Sequence, residues 1–293
     1  MARDSMLAST GRIRYAAGVI DWRVDALWER RRPAVMAILN VTPDSFSDGG
    51  SFLDPEAAIG QAEALLAQGA DIIDVGGEST RPGASPVDTQ EEERRVVPVI
   101  KTLVSRHPDL LLSVDTSKPA VAVAALAAGA RIVNDVTASP EMMPLVAGHG
   151  AVLVLMHMRG TPHTMQVDTR YTDVVAEVVE FLATRASQAR ASGISDQHIW
   201  LDPGIGFGKD LEGNLRLLAH LPDLAALGHP VVVGASRKSF VGALSGAAVN
   251  DRLAGSLAAL TPLARLPRVI ARVHDVGATV QFLGVQAALW EAA

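Results

Sequence analysis

At 293 residues with 48% hydrophobic positions, the chain carries enough apolar material for a sizeable core, arranged as one large α/β domain or two smaller ones. Its 26 Lys and Arg against 32 Asp and Glu give a net charge of -6. That balance excludes a general nucleic-acid binder, which needs a basic face to displace counterions. The absence of cysteine removes disulfides, thiolate metal sites and Cys nucleophiles, and fits a reducing compartment such as the cytoplasm.

In chain order, the first 33 residues hold no apolar run of signal-peptide length, and "WERRRP" at 28 to 33 ends whatever hydrophobicity precedes it. They read as a short N-terminal extension, 1–33, capping the bottom of the domain that follows at 34–293. No later segment approaches the roughly 20 apolar residues of a membrane helix, so a soluble protein is expected.

Eight short β-branched runs then recur: 34–40, 71–77, 111–115, 131–135, 151–157, 198–204, 230–236 and 268–275. Helical spacing fills most of the gaps. Ala58, Ile59, Ala62, Leu65 and Leu66 fall on one face, with Gly69 as the C-terminal stop. Residues 87–108 start acidic, as the helix dipole prefers, and Pro98 predicts a kink. Further helices are expected over 118–129, 140–149, 171–192, 251–265 and 276–291.

The runs are continuously apolar rather than alternating, the mark of strands buried on both faces of a parallel sheet. Eight such strands alternating with helices over about 250 residues predict a single (β/α)8 TIM barrel. An open doubly wound sheet is the alternative, but no G-x-G-x-x-G follows the first strand.

In a TIM barrel the chemistry gathers at the C-terminal strand ends. Those ends read Asn40, Asp74, Asp115, Asn134 with Asp135, His157, Asp202, Ser236 to Ser239, and Arg272 with His274. Each has an ordinary structural explanation: Asp74 before Gly-Gly as a turn carboxylate, Asp115 as a helix cap, Asp202-Pro-Gly as a turn, His157 as a hydrogen-bonded rim residue. Together they form a pattern that scattered surface residues do not. Asp115, Asp202 and Asn134 make an acceptor-rich cluster suited to a ligand edge with several N–H donors, such as a 2-amino-4-oxo-pyrimidine ring. Lys238, Arg272 and His274, with Thr80 and Arg81, suit phosphate or carboxylate oxygens. The set describes a ligand with a guanidine-like head and an anionic tail.

Other motifs fail. "GIGFGKD" at 204–210 is one residue short of a phosphate-binding P-loop and ends in Asp210. There is no H-E-x-x-H, hence no expected zinc site, and no G-x-S-x-G.

The blocks "ILNVTPDSFSDGG", "IIDVGGESTRPGA", "SVDTSKP", "IVNDV", "LMHM", "LDPGIGFGK", "GASRKSF" and "RVHDV", in order from about residue 34 to the C-terminus, together resemble the dihydropteroate synthase family of folate biosynthesis. The resemblance implies a (β/α)8 barrel, a transferase joining 6-hydroxymethyl-7,8-dihydropterin diphosphate to 4-aminobenzoate with release of diphosphate, and sensitivity to sulfonamides. It implies that Asp115, Asn134, Asp202 and Lys238 hold the pterin and that Arg272, His274 and Thr80 contact the diphosphate. Asn40 would help hold Mg²⁺, and Arg81, Pro82, Phe46 and Ser239 would shape the aminobenzoate pocket. Asp74 joins the substrate-binding set, and Asp115, Lys238, Arg272 and His274 are the catalytic candidates. A homodimer is implied as well.

One departure stands out. Before its last strand the family often has a Gly-Ala pair, whereas this chain reads "ARLPRVIARVHDV", so a rebuilt helix-to-strand joint is expected. The segment 42–50, rich in Ser, Asp and Gly around Phe46, is expected to close over the substrates as a lid. Two rival readings are a methyltransferase-type pterin barrel, which has no use for the cationic "ASRKS" and "RVHD" blocks, and a non-catalytic pterin-binding paralogue.

Overall fold

A computed structural model describes residues 13–15, 18–20, 24–42, 55–79, 86–162 and 164–293. Eight parallel strands close into a barrel: β1 Ala34–Asn40, β2 Ile72–Gly76, β3 Leu111–Asp115, β4 Ile132–Asp135, β5 Val152–Met156, β6 Ile199–Asp202, β7 Val231–Val233 and β8 Val269–Val273. Neighbours in sequence are neighbours in space, and β8 completes the ring on β1 through Ile270↔Ala34 to Val273↔Ala37. The eight-run reading and the TIM-barrel class are therefore correct. Ahead of the barrel, Ile13–Tyr15 and Gly18–Ile20 form a short antiparallel pair.

Two apolar layers hold the barrel. One lies between strands and helices; the other fills the lumen with Ala34, Met36, Ile72, Leu111, Ile132, Val152, Val154, Trp200, Val232 and Ile270. Val24, Leu27 and Trp28 pack against this lumen cluster, with Trp28 edge-on to the fully buried Trp200 at 5.9 Å between ring centroids. Because strand side chains alternate, the lumen series continues upward in steps of two. Met36 leads to Ile38 and Asn40, Ile72 to Asp74, Leu111 to Ser113 and Asp115, Ile132 to Asn134, Trp200 to Asp202, and Ile270 to Arg272. The inner face thus turns from apolar to polar toward the strands' C-terminal ends, and the barrel delivers those polar groups to one mouth.

The helices are α1 Pro55–Ala67, α2 Thr89–Arg106, α3 Pro119–Ala128, α4 Met142–Gly148, α5 Val174–Ala191, α6 Leu211–Ala219, α7 Leu221–Ala225, α8 Ser239–Ser245, α9 Leu253–Ala258 and α10 Val276–Glu291. Gly69 terminates α1 as expected, at φ 96° with its N–H donated to Leu66 O. Helix α2 is capped by Asp88, whose carboxylate accepts from Glu91 N at 2.8 Å, and it runs unbroken through Pro98.

Two expectations are corrected. Residues 251–265 are not one helix: a 3-10 turn at Val249–Asp251, α9 and a second 3-10 turn at Thr261–Arg265 share the segment. Pro262 accounts for the second break, since it has no N–H to donate back to Ala258 and so stands at the start of a new turn. The chain also forms α6, α7 and α8, which the apolar pattern alone did not mark. Asp210 caps α6 by accepting from Gly213 N at 2.8 Å, a local start signal with no long periodic run behind it. The joint into β8 passes through Arg268 at φ 49°, the left-handed region, with its guanidinium donating to Gly228 O at 2.5 Å.

Candidate active site

The floor of the mouth is a set of polar groups from five strands. Asp74 is fully buried on β2, and its Oδ2 accepts from Arg272 Nε at 2.7 Å and from Asn134 Nδ2 at 3.1 Å. Asp115, at the end of β3, accepts from Arg272 Nη2 at 2.6 Å. Donation of Nδ2 to Asp74 fixes the Asn134 amide so that Oδ1 is left as an acceptor. Asp202, ending β6, accepts from Gly204 N at 2.7 Å.

The electrostatics follow from burial. Desolvation pushes the Asp115 carboxyl up to about 7, against the pull of Arg272 and with the help of Asp74. Burial also raises Asp202, opposed by the Gly204 N–H and Lys238. Burial works against the Arg272 charge, yet Asp74 and Asp115 outweigh it and hold the guanidinium protonated. Its Nη1 makes no hydrogen bond among the described residues, which leaves one edge of the guanidinium open.

Above this floor lies a cleft of about 430 Å³ lined by Asn40, Asp115, Phe207, Lys238, Ser239, Arg272 and His274 among others. A narrower slot beneath it is bounded by Asn134, Met156, Asp202, Phe207, Lys238 and Arg272. Lys238 stands at the junction of the two, its Nζ 4.1 Å from the centroid of the Phe207 ring. His274 is held from below, since Ser236 Oγ lies 3.1 Å from its Nδ1 and accepts from its backbone N–H at 3.3 Å.

The loop between β7 and α8 is tightly pinned. Arg237 sits at φ 58° and forks onto Asp275, with Nε to Oδ2 at 3.0 Å and Nη2 to Oδ1 at 2.5 Å. Its N–H reaches Ser256 Oγ at 2.9 Å, and Arg252 Nη1 donates to its carbonyl at 3.1 Å. Strain of this kind persists only where the surroundings enforce it. Here it turns the chain so that Lys238 and Ser239 face the cleft.

The structure therefore brings together Asn40, Asp74, Asp115, Asn134, Asp202, Lys238, Ser239, Arg272 and His274. Two strand-end residues do not join them. Asp135 points away from the lumen and caps the following turn, accepting from Thr137 N, Thr137 Oγ1 and Ser139 N. His157 is buried against Lys209 rather than placed on the rim. The expected separation of acceptors from cations is also corrected: Arg272 is embedded among the acceptors, because an inward arginine on the lumen face next to two buried carboxylates is held by them. Phe46, Thr80, Arg81 and Pro82, and the lid segment beyond Thr42, lie outside the described residues.

Sequence reasoning missed Phe207, Met165 and Gln166, all of which line the cleft. Phe207 carried a signal: it is the one aromatic in a glycine-rich turn directly after Asp202. Gln166 and Met165 sit on the long β5–α5 connection, where no periodicity marks them.

Similarity to known proteins runs over most of the chain. Residues 36–274 match the family described as pterin binding enzyme. The dihydropteroate synthase of Synechocystis sp. is 46% identical over 264 residues, covering 89% of this chain and 91% of its own length. A Xanthomonas albilineans dihydropteroate synthase solved with 4-aminobenzoic acid superposes with a TM-score of 0.82 at 49% identity, covering 88% of this chain and 93% of that one. The Yersinia pestis enzyme, solved with a sulfonamide drug, gives a TM-score of 0.84 at 41% identity and covers 96% and 99%. The chain belongs to the dihydropteroate synthase family of pterin-binding enzymes.

Proposed function

We propose that this chain condenses 6-hydroxymethyl-7,8-dihydropterin diphosphate with 4-aminobenzoate to give 7,8-dihydropteroate and diphosphate. The observation that carries this reading is the buried acceptor set of Asp115, Asn134 Oδ1 and Asp202 at the floor of a cleft whose walls carry Lys238, Arg272 and His274. A pterin ring presents the complementary row of N–H donors. A barrel transferring a methyl group from a folate has no comparable use for the cations above that floor.

In this reading the pterin lies at the base of the cleft, its N–H edge turned to Asp115 and to the slot that Asn134 and Asp202 line, with a carbonyl toward Lys238. Arg272, held by two carboxylates and open at Nη1, lies where it faces the ring and the departing diphosphate, and His274 supplies a second donor. Loss of diphosphate leaves an exocyclic methylene cation delocalised into the dihydropterin, and the Asp115 carboxylate stabilises that positive ring. The arylamine of 4-aminobenzoate is unprotonated near neutral pH and needs no strong base to attack; the anilinium formed then loses its proton to water or to the departing diphosphate, so the site needs no catalytic dyad. Phe207 and Ser239 border the part of the cleft above the pterin, where this second substrate fits.

A magnesium ion suits the same cleft. Asn40 offers a hard amide oxygen whose side chain makes no hydrogen bond among the described residues. A Cβ added to Gly76 would stand 3.7 Å from Asn40 Oδ1 and 3.8 Å from Asp115 Oδ2, so both oxygens flank the same point. Magnesium keeps waters and takes few protein ligands, and when bound it would neutralise diphosphate charge. Calorimetric titration of magnesium with dihydropterin diphosphate present should show weaker binding in Asn40→Ala.

A homodimer is part of the proposal. Leu244, Val249, Leu253, Val285 and Leu289 are exposed apolar side chains on α8, α9, α10 and the turn before α9, a surface suited to a second copy. Sedimentation analysis at micromolar concentration tests it. The cysteine-free composition supports a cytoplasmic location, which cell fractionation checks.

The direct test mixes purified protein with dihydropterin diphosphate and Mg²⁺ and follows diphosphate and dihydropteroate with and without 4-aminobenzoate. Formation of dihydropteroate only when all components are present is expected. No product at micromolar enzyme overturns the proposal.

A further inference from the structure

The failed phosphate-loop motif ends in a lysine that no step above uses. Lys209 is 3% exposed, and among the described residues its ammonium pairs with no carboxylate. Instead it is surrounded by loop acceptors: Phe207 O at 2.8 Å, Gly204 O at 3.0 Å, His157 O at 3.2 Å and His157 Nδ1 at 2.9 Å. A P-loop lysine points outward to an anion; this one points inward and gathers carbonyls of its own turn.

The rest of the turn is equally tied down. Asn214 Oδ1 accepts from Gly206 N at 2.6 Å, Gln166 Nε2 donates to Gly206 O at 3.2 Å, and Tyr171 Oη donates to Gly208 O at 2.8 Å. Gly204, at φ 66°, lies so close to the β5 end that an added Cβ would fall 1.9 Å from His157 O. Every one of these partners comes from the β5 end, the β5–α5 connection or α6, so the turn has no freedom of its own. At its apex Phe207 faces Lys238 and borders both the cleft and the slot.

Burying an ammonium without a counter-charge is costly, and desolvation lowers Lys209 to about 7 against the pull of Asp202. Its neighbour His157 is driven to about 3, first by burial and then by Lys209, and so remains a neutral acceptor. A lysine kept at such cost in an otherwise glycine-rich turn holds something in place.

We infer that Lys209 is a positioning residue for the second substrate: by gathering Gly204 O, Phe207 O and His157 it holds the Phe207 ring against Lys238 and so shapes the wall that 4-aminobenzoate meets. The inference rests on the synthase reading. Asp202 sits on its strand and meets the turn only through the Gly204 N–H and the field of Lys209, so the pterin end depends on Lys209 less than the aminobenzoate wall does.

Lys209→Met keeps the apolar stem and removes the donors; Lys209→Gln keeps a shorter neutral donor and serves where the methionine variant does not fold. Steady-state constants for both substrates, the affinity for the pterin substrate and the melting temperature are measured for each. The expected result is a rise of about tenfold in KM for 4-aminobenzoate, smaller in the glutamine variant, with pterin affinity changed less than threefold. An unshifted aminobenzoate KM in a folded variant, or equal losses at both substrates alongside a lower melting temperature, overturns the positioning role. Wild-type protein without synthase turnover would instead overturn the reading on which the role rests.

Discussion

Arg272 on the last barrel strand donates its Nη2 to Asp115 on the third at 2.6 Å, across the mouth of the barrel. The same guanidinium donates Nε to Asp74 on the second strand, so a single side chain links three strands and compensates two buried carboxylates. The floor of the cleft is thus a charge network as well as a recognition surface.

Removing Arg272 leaves that network without its cation. Arg272→Met should lower unfolding free energy by about 3 kcal/mol at pH 8, the usual scale for stripping one partner from a buried pair. The Asp115 carboxyl, raised to about 7, is charged at pH 8 and protonated at pH 5, so the loss should shrink at the lower pH. Urea unfolding at the two pH values checks this; equal losses would show that Asp115 carries little of the effect.

Asp115→Ala deletes one charge-assisted acceptor, about 1.5 to 3 kcal/mol, and should weaken binding of the pterin substrate by roughly tenfold to a hundredfold. Calorimetry reads the change directly. Unaltered affinity would place the ring elsewhere.

Lys209 gives stability a pH dependence of stated sign. Its folded pKa is lowered to about 7 from the ordinary 10.5, so between those values the unfolded chain binds more protons than the folded one. Stability should therefore rise with pH across that window, and the cost of the buried charge is greatest below pH 7. Calorimetric melting from pH 7.5 to 9.5 should show a steeper rise in wild type than in Lys209→Met. Identical slopes would mean that Lys209 does not change its protonation on unfolding.

Sulfonamides, which carry an arylamine like that of 4-aminobenzoate, should inhibit competitively with that substrate and not with the pterin. Inhibition kinetics varying each substrate in turn provide the test. A pattern competitive with the pterin alone would misplace the pocket bordered by Phe207 and Ser239.

At the opposite end of the barrel, Trp200 fills the lumen beneath the site and meets Trp28. Trp200→Ala should cost about 3 to 5 kcal/mol by leaving a cavity. KM for both substrates should change less than twofold at temperatures where the variant is folded. Denaturant unfolding and steady-state assays together separate stability from chemistry.

The barrel was legible because its signals are local. Eight runs of β-branched residues, separated by helical spacing and stopped at positions such as Gly69, state strand number and alternation without reference to any partner. The candidate site was legible for the same reason: alternation along each strand puts Asn40, Asp74, Asp115, Asn134, Asp202 and Arg272 on the inner face at the C-terminal end, whatever the loops do. Short helices such as α7 and α8 escaped because a single turn or two carries too few apolar positions to establish a period, and the break at Pro262 depended on one residue overriding a long apolar stretch.

Which of these polar groups touch was a different matter. Chain order places Asp74 and Arg272 almost two hundred residues apart, and only closure of the ring puts a carboxylate and a guanidinium within 2.7 Å and merges the acceptors with a cation that composition had set at the other end of the ligand. Lys209 and His157 read as a broken motif and a rim residue until packing showed an ammonium buried among carbonyls. Residue types and periodicity declare the strands and the mouth, because those depend on near neighbours in the chain. Pairing, protonation and the posture of Phe207 were decided by the folded barrel, because they depend on distances and solvent exclusion that no local stretch of sequence contains.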